Sequence, residues 1–228
     1  MPLNHHTLDP KNPIAQEIAS SLTWYSPQFS PKNVPRFYDI SSLTESPQLF
    51  QKVINWMAQR YRSMGSDGPT HILGFDARGF LLGPPIALQL QIPFVMMRKA
   101  EKIPGLLVKS QPYRKEYTEE HLDTMAIRVG SIHPNARVVL IDDLIATGGT
   151  AISGLELAQA CGAQVIEFAA VIEISSLNGI QKIRSYQNGR YAQTPLFTLV
   201  HDTLITEKTC GDPKVWEFKK SRIRSSET

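Results

Sequence analysis

Residues 138–150 read VVLIDDLIATGGT, and the architecture of the chain can be inferred outward from this segment. Its first part is an apolar run rich in valine and isoleucine, which is typical of a buried strand. Two aspartates and two adjacent glycines come next, and the residues that follow, up to Gly162, have the pattern of a helix. The segment therefore predicts a strand over 137–141, a loop over 142–149 and a helix over 150–161.

The second half of this segment has the features of a phosphate-binding loop. Gly148 and Gly149 allow backbone conformations in which successive N–H groups point the same way. Thr147 and Thr150 add hydroxyl donors, and the helix that follows offers unpaired N–H groups and the positive end of its dipole. Because the lysine and the spacing of a P-loop are missing, the loop fits a phosphate monoester better than a nucleoside triphosphate.

The first half of the loop supplies negative charge. Asp142 and Asp143 follow the predicted strand directly, where it enters the crevice. Two carboxylates in that place can accept hydrogen bonds from the neighbouring hydroxyls of a sugar, or hold a hydrated Mg²⁺. The combination predicts a phosphorylated sugar bound at both ends. The alternative is that Asp143 only caps a turn and the glycines only bend the chain.

Strands and helices alternate along the rest of the chain. This alternation predicts an α/β protein with a doubly wound, mostly parallel sheet. In such sheets ligands bind beyond the carboxyl ends of the strands, which is where the loops 76–79 and 142–149 lie. The pattern upstream predicts a strand over 71–75, a loop over 76–79, a helix over 80–90 and a strand over 92–97. The pattern downstream predicts a strand over 164–174, a helix over 178–186 and a strand over 196–200.

Three further features complete the predicted organisation. Helices are predicted to begin after Asn12 and Ser46, because each can cap a helix and each is followed by proline. The charged, proline-interrupted stretch 98–134 predicts an antiparallel excursion that returns as a strand over 124–128. The first residues, with His5 and His6, are expected to be unordered, and the histidines lack the spacing of a zinc site. The expected division is an N-terminal extension over 1–45, a core over 46–200 and a C-terminal extension over 201–228.

Composition excludes several classes of function. The chain has 228 residues, of which 42% are hydrophobic, and 24 Lys+Arg against 21 Asp+Glu leave a net charge of +3. That charge is too small to indicate a nucleic-acid partner, and no apolar run is long enough to predict a membrane span. Two cysteines cannot form a disulfide framework, which favours a reducing compartment and a cytoplasmic location.

Residues 138–150 resemble the phosphoribosyl pyrophosphate (PRPP) binding motif of type I phosphoribosyltransferases. Four other segments resemble the adenine-specific members of that family, and the similarity looks greatest to the long form of kinetoplastid protozoa. Xanthine-specific enzymes of this fold usually vary the string Ala-Thr-Gly-Gly-Thr, which is intact here. The four segments are 33–41 (NVPRFYDIS), 74–80 (GFDARGF), 98–105 (RKAEKIPG) and 116–117 (EY).

The resemblance implies a purine salvage glycosyltransferase that converts adenine and PRPP to AMP and pyrophosphate with Mg²⁺. It also implies a flexible antiparallel lid, an N-terminal hood over the base, and a homodimer. Two alternatives stay open at this point: an enzyme of the same fold that acts on another purine, and a PRPP-binding regulatory protein without catalysis. No helix-turn-helix or strongly basic face supports the regulatory alternative.

The resemblance also assigns roles in PRPP binding. Asp142 and Asp143 would bind the ribose hydroxyls and favour the cationic transition state. Mg²⁺ would be held mainly by PRPP and water, near Asp142. The pyrophosphate would be bound by Arg78, Arg98 and Lys102, one of which could reach across a dimer interface. The 5′-phosphate would be bound by Ala146, Thr147, Gly148, Gly149 and Thr150.

For the base, the resemblance points to the backbone of Arg36 and Tyr38, with Phe37 stacked on one face and Ile174 packed on the other. One N–H and one C=O would complement adenine and reject 6-oxopurines, whose donors and acceptors are reversed. On the lid, Glu116 would act as the acid/base near the purine and Tyr117 would close over the pyrophosphate. The family usually continues Glu-Tyr with glycine, whereas this chain continues with Thr118-Glu119-Glu120.

Overall fold

The structure is a computed structural model that describes residues 5–30, 34–111 and 124–213. The strands in these ranges are β1 (His5–Thr7), β2 (Thr23–Tyr25), β3 (Phe37–Asp39), β4 (His71–Phe75), β5 (Phe94–Lys99), β6 (Leu107–Lys109), β7 (Met125–Arg128), β8 (Arg137–Ile145), β9 (Gln164–Glu173) and β10 (Leu196–His201). The α-helices are α1 (Pro13–Ser21), α2 (Ser41–Thr44), α3 (Pro47–Arg62), α4 (Gly79–Leu90), α5 (Gly149–Ala160) and α6 (Gly179–Ser185). Short 3₁₀ turns cover Gly65–Asp67, Ala100–Lys102, Ser175–Leu177, Asp202–Leu204 and Glu207–Thr209.

Eight of the strands form one sheet in the order β1-β10-β9-β8-β4-β5-β7-β6. In this sheet order, each neighbouring pair from β1 across to β5 is parallel. β7 runs antiparallel to both β5 and β6. β2 and β3 form a separate antiparallel pair. The predicted α/β class with a doubly wound, mostly parallel sheet is confirmed, and so is the antiparallel excursion after β5.

The helices cover both faces of the sheet. Asn12 accepts a hydrogen bond from the N–H of Ile14 at 3.0 Å, and Ser46 accepts one from the N–H of Leu49 at 3.4 Å, so both predicted caps are confirmed. One buried cluster contains the apolar residues of α1, α3 and α4, and the other contains those of α5 and α6. In the parts of the chain described here, no helix has the length and apolar character needed to cross a bilayer.

Strand β8 is longer than the sequence predicted. The loop was predicted to begin at Asp142, but the parallel ladder with β9 continues to Ile145. Pairs such as Asp142 with Ala170 and Leu144 with Ile172 extend it. Local polarity favours a loop at an Asp-Asp pair, whereas backbone pairing with a neighbouring strand is insensitive to side-chain charge. Both aspartates therefore lie on a strand, whose backbone fixes their positions.

The start of the described chain is more ordered than predicted, and residues after β10 also pack on the fold. The expectation of an unordered start is wrong for His5–Thr7, which add β1 in parallel to the edge of β10. Edge strands accept such additions through backbone groups alone, so a polar three-residue strand leaves no periodic signal. At the other end, residues 202–213 run along the β2–β3 pair, where the Trp24 indole N–H donates to the carbonyl of Thr206 at 3.1 Å.

Candidate active site

The phosphate-loop prediction falls at the carboxyl end of β8, where the chain turns into α5. Gly148 has a φ of +82°, and a Cβ there would lie 2.7 Å from the carbonyl oxygen of Gly179. A Cβ on Gly179 would lie 2.2 Å from the carbonyl oxygen of Ala146. The loop and the start of α6 thus pack backbone against backbone, which requires glycine at both positions. The first N–H groups of a helix have no intrahelical acceptor, and no described side chain caps α5. These N–H groups can therefore bind an anion.

Asp142 and Asp143 lie side by side just before this loop. The Asp143 side chain is buried and Asp142 is partly buried, and the backbone N–H of Asp143 donates to Asp142 Oδ1 at 2.9 Å. Burial, followed by the charge of Asp143, raises the pKa of Asp142 well above its ordinary value. Burial also raises the pKa of Asp143, against the opposing effect of Arg78. The pair is therefore a buried, mutually repelling set of hydrogen-bond acceptors.

Arg78 connects the two loops of the crevice. Its Nε lies 3.3 Å from Asp143 Oδ2, an atom that accepts no well-aligned hydrogen bond from the described residues. The guanidinium comes from the turn after β4, and Gly79 permits the close approach, since a Cβ there would lie 2.4 Å from the carbonyl oxygen of Ile141. The peptide between Asp76 and Ala77 is cis. The structure thus brings Arg78 to the aspartate pair.

The other two predicted cations meet at a residue to which the sequence analysis gave no role. Arg98 Nε lies 3.0 Å from Asp76 Oδ2, and Lys102 Nζ lies 3.6 Å from the same atom. Asp76 follows β4 as Asp142 follows the apolar part of β8. An acid directly after a buried strand was the signal that could have identified it. Arg78, Arg98 and Lys102 therefore lie around two neighbouring carboxylates at the same end of the sheet.

A pocket of about 280 Å³ opens beside the hairpin formed by β2 and β3. Three of the four predicted base-binding residues line it, whereas Phe37 is not among the lining residues. Its walls also include residues of the 3₁₀ turns that follow β9 and β10, for which no role in base binding was predicted. The lining residues are Val34, Pro35, Arg36, Tyr38, Ile174, Ser176, Leu177, Asp202 and Thr203.

The C-terminal residues hold the Arg36 side chain against the hairpin. Its guanidinium donates to the carbonyl of Ile205 at 3.1 Å, pairs with Glu207, and stacks 4.5 Å from the centre of the Trp24 ring. Tyr38 is buried, and that burial raises the pKa of its phenol. These contacts fix the backbone of the pocket wall, and they could not be predicted because they join residues far apart in the sequence.

Glu116 and Tyr117, the predicted lid residues, lie outside the described residues. The same holds for Thr118-Glu119-Glu120. The described flanks of this region are β6 and β7, which pair antiparallel with Val108 opposite Ile127.

The acidic residues fit a magnesium ion that is carried mainly by a phosphorylated ligand. Within residues 5–30, 34–111 and 124–213, no three His, Cys, Asp or Glu side chains converge in a way that could hold a metal ion by themselves. Mg²⁺ prefers to keep several waters and to bind one or two carboxylates together with substrate phosphates. Asp142 and Asp143 provide that number of carboxylates.

Comparisons with known proteins identify the family of the chain. A family model described as "Phosphoribosyl transferase domain" matches residues 39–194. A curated relative from Arabidopsis thaliana, adenine phosphoribosyltransferase 1, chloroplastic, is 38% identical over 194 residues, which is 85% of this chain and 73% of that protein.

Two solved structures of similar length resemble the chain over almost all of it. Adenine phosphoribosyltransferase from Leishmania donovani is 51% identical, with a TM-score of 0.88 over 93% of this chain and 90% of that one. The Trypanosoma brucei enzyme, solved in complex with AMP, pyrophosphate and ribose-5-phosphate, is 43% identical, with a TM-score of 0.87 over 96% of this chain and 95% of that one.

Proposed function

Because this chain belongs to the phosphoribosyl transferase family, as one of its adenine phosphoribosyltransferases, we propose that its crevice binds PRPP and adenine and converts them to AMP and pyrophosphate. The chain is an enzyme of purine salvage. The observation that carries the assignment is the placement of the aspartate pair and the phosphate loop at the end of β8. Both lie on the segment 142–150.

The proposed reaction replaces the bond between the ribose and pyrophosphate with a bond between the ribose and adenine. A ring nitrogen of adenine bonds to the anomeric carbon of the ribose, the bond from that carbon to pyrophosphate breaks, and the proton on the nitrogen is lost. Departure of pyrophosphate leaves positive charge on the ribose ring. Asp142 and Asp143 accept hydrogen bonds from the ribose hydroxyls, and their negative charge stabilises the developing cation.

The cations of the crevice bind the leaving pyrophosphate. Arg78 already contacts Asp143, so it lies between the ribose and the pyrophosphate in this proposal. Arg98 and Lys102 exchange part of their contact with Asp76 for the phosphate oxygens. Asp142 would be the ligand from this chain for a Mg²⁺ ion held mainly by PRPP and water, and that ion would neutralise part of the pyrophosphate charge.

The 5′-phosphate binds at the turn into α5. The hydroxyls of Thr147 and Thr150 and the N–H groups of the loop donate to its oxygens. These loop residues are Ala146, Thr147, Gly148, Gly149 and Thr150. The close backbone packing of Gly148 on Gly179 supports this role, because it holds the loop in one conformation before the ligand binds.

Adenine occupies the pocket beside the hairpin in this proposal. The backbone of Arg36 and Tyr38 reads the base edge, and Ile174 packs on one face. Phe37 stacks on the other face, although it does not line the pocket in the described state. The fixed position of the Arg36 guanidinium supports backbone reading, since it holds the wall of the pocket in place.

We also assign the lid residues by the same proposal. Glu116 acts as the acid/base that takes the proton from the purine nitrogen, and Tyr117 closes over the pyrophosphate. We propose that the chain divides into an extension with the base hood over 1–45, the transferase core over 46–200 and a C-terminal extension over 201–228.

A homodimer in the cytoplasm completes the proposal. Leu81 and Leu88 lie seven residues apart on α4, hence on one face, and are 47% and 79% exposed. An apolar face of this kind suits a second copy of the chain. In that dimer, one of Arg78, Arg98 and Lys102 would reach the crevice of the partner. The two described cysteines are free thiols, which suits a reducing compartment. Light scattering of the purified chain tests the dimer, and a mass of one chain would contradict it.

The activity is tested by incubating the purified chain with PRPP, Mg²⁺ and each purine base in turn. The expected result is AMP from adenine and no nucleotide from hypoxanthine, guanine or xanthine. Formation of a 6-oxopurine nucleotide instead would indicate an enzyme for another base. Binding of PRPP without turnover of any purine would indicate a regulatory protein.

A further inference from the structure

The pocket beside the hairpin contains a carboxylate outside the residues that the family model matches. Asp202 lies on the 3₁₀ turn after β10, and the family match ends at residue 194. Its side chain is 13% exposed and lines the pocket together with Arg36, Tyr38 and Ile174. A carboxylate that is mostly buried requires hydrogen-bond donors around it.

Asp202 is held in place through one of its two oxygens. Oδ1 accepts a hydrogen bond from the hydroxyl of Ser175 at 2.9 Å and lies 3.2 Å from Nδ1 of His201. Among the described residues, no donor contacts Oδ2. One oxygen therefore orients the carboxylate, and the other is open to a ligand.

The cation of the same pocket is already paired elsewhere. The Arg36 guanidinium binds Glu207 and the carbonyl of Ile205, stacks on Trp24 and interacts with the Tyr38 side chain, so protein groups already surround it. The charge of Asp202 also contributes, after burial, to the raised pKa of the Tyr38 phenol, which indicates that Asp202 and Tyr38 are close. Asp202 thus contributes a carboxylate acceptor to this wall, next to Tyr38.

We propose that Asp202 is a specificity-determining residue that accepts a hydrogen bond from the exocyclic amino group of adenine. This inference rests on the proposed function. The amino group carries two hydrogens, and a single backbone carbonyl accepts only one of them. The open oxygen of Asp202 supplies the second acceptor. A 6-oxopurine would place its carbonyl oxygen against the same carboxylate, so Asp202 also repels the competing bases.

The substitution Asp202→Asn tests this assignment with little change of shape. The amide oxygen can still accept from Ser175, and the amide nitrogen then takes the place of the open oxygen and donates instead of accepting. The catalytic efficiency kcat/KM for adenine, measured at saturating PRPP, is expected to fall about 10-fold to 100-fold. The kcat/KM for hypoxanthine is expected to rise, so the ratio of kcat/KM for adenine to kcat/KM for hypoxanthine falls.

Asp67→Asn is the matched control, because Asp67 is exposed and does not line the pocket. Both variants are compared with the wild type, whose turnover of adenine is measured first. A wild type without that turnover contradicts the proposed function, whereas an active wild type with an unchanged Asp202→Asn variant contradicts only this inference.

Unsubstituted purine, which lacks the amino group, separates recognition from a structural role. Its binding and that of adenine are measured by calorimetry on the wild type and on Asp202→Asn. If Asp202 recognises the amino group, the substitution weakens the binding of adenine about 10-fold or more and leaves the binding of purine unchanged. Equal weakening of both bases would overturn the inference. If Asp202→Asn does not fold, Asp202→Ser is measured in the same way, with the same two outcomes.

Discussion

At the residue scale, the aspartate pair shows how a buried acceptor site opposes stability. Asp142 lies on a strand beside Asp143, where burial and mutual repulsion disfavour the charged form. A ligand can offset this unfavourable burial of charge by supplying hydrogen bonds or positive charge. Ribose hydroxyls, pyrophosphate-bound Mg²⁺ and Arg78 do so in the proposed complex. In the protein without ligand, the charged aspartate pair is therefore expected to lower the free energy of unfolding.

The substitution Asp142→Asn tests this conflict between stability and binding. The raised pKa in the folded state means that protonated Asp142 stabilises the protein at low pH, and that this contribution is lost as the pH rises through the raised pKa. At pH 8 the variant is expected to gain roughly 2 to 4 °C in Tm, or about 1 kcal/mol for a chain of this length. At pH 4 the gain should vanish.

The same variant is expected to bind PRPP more weakly and to turn over more slowly, because an amide cannot provide the charge that stabilises the cationic ribose. Thermal unfolding at the two pH values and titration with PRPP and Mg²⁺ measure both effects. Asp67→Asn, on an exposed residue, serves as the control. A variant that binds PRPP as the wild type does would remove Asp142 from the ribose site.

Glu116 offers a second test at the residue scale. Glu116→Gln keeps the size of the side chain and removes its ability to take a proton, so kcat is expected to fall about 100-fold. The affinity for PRPP should change little, since this role concerns the purine. Glu119→Gln, on the same stretch of chain, is the control. A larger loss of kcat in Glu119→Gln would show that the acid had been assigned to the wrong residue.

At the scale of elements, the site depends on how the phosphate loop packs on α6. A Cβ on Gly179 would lie 2.2 Å from the carbonyl oxygen of Ala146, and backbone cannot move aside as a flexible side chain can. Gly179→Ala is therefore expected to displace the loop and to weaken PRPP binding more than about 10-fold. Calorimetric titration with PRPP and Mg²⁺ measures the effect.

Gly130→Ala is the control for that substitution. Gly130 has a φ of +79°, and among the described residues no atom beyond its chain neighbours would lie within 4 Å of a Cβ there. Alanine at this position therefore strains the backbone away from the loop, and it should lower Tm without changing the affinity for PRPP. Equal loss of PRPP affinity in both variants would mean that general destabilisation, and not loop position, explains the result.

The hairpin of β2 and β3 is the second element whose position matters. Trp24→Phe removes the indole N–H that donates to Thr206 and thus loosens the C-terminal segment from the hairpin. Loss of about 1 kcal/mol in this contact is expected to raise the KM for adenine about threefold to tenfold, with the KM for PRPP unchanged. Steady-state kinetics with each substrate varied in turn measures both constants.

Trp56→Phe is a matched control, because Trp56 stacks on Phe197 and not on the hairpin. It should leave both constants unchanged even if it lowers Tm. If Trp24→Phe raised the KM for PRPP as much as that for adenine, the hairpin would not act on the base pocket alone.

Much of the element order could be predicted because each strand of the sheet centre is a continuous apolar run covered on both faces. The runs at β4 and β8 and the caps at Asn12 and Ser46 are signals of that local kind. The extension of β8 through its aspartates and the addition of β1 could not be predicted, because backbone pairing with a distant strand decides both.

At the scale of the whole molecule, the site combines residues from parts of the chain that lie far apart. The phosphate loop and the aspartate pair lie together on 142–150, so sequence alone could identify them. Asp76 follows a buried strand, which is a signal in the sequence, but only the fold shows that it contacts two cations and that Asp202 lines the base pocket. Local motifs thus predicted the sugar phosphate half of the site and three residues of the base pocket, while the position of Asp202 depends on tertiary contacts.

A crystal structure of the chain bound to AMP would examine both halves of the site at once, because this nucleotide spans them. We predict the phosphate on the loop 146–150, the ribose hydroxyls on Asp142 and Asp143, and adenine in the pocket between Ile174 and the hairpin. AMP bound elsewhere, or bound with its base outside that pocket while the crevice stays closed by side chains, would show that the proposed site is wrong.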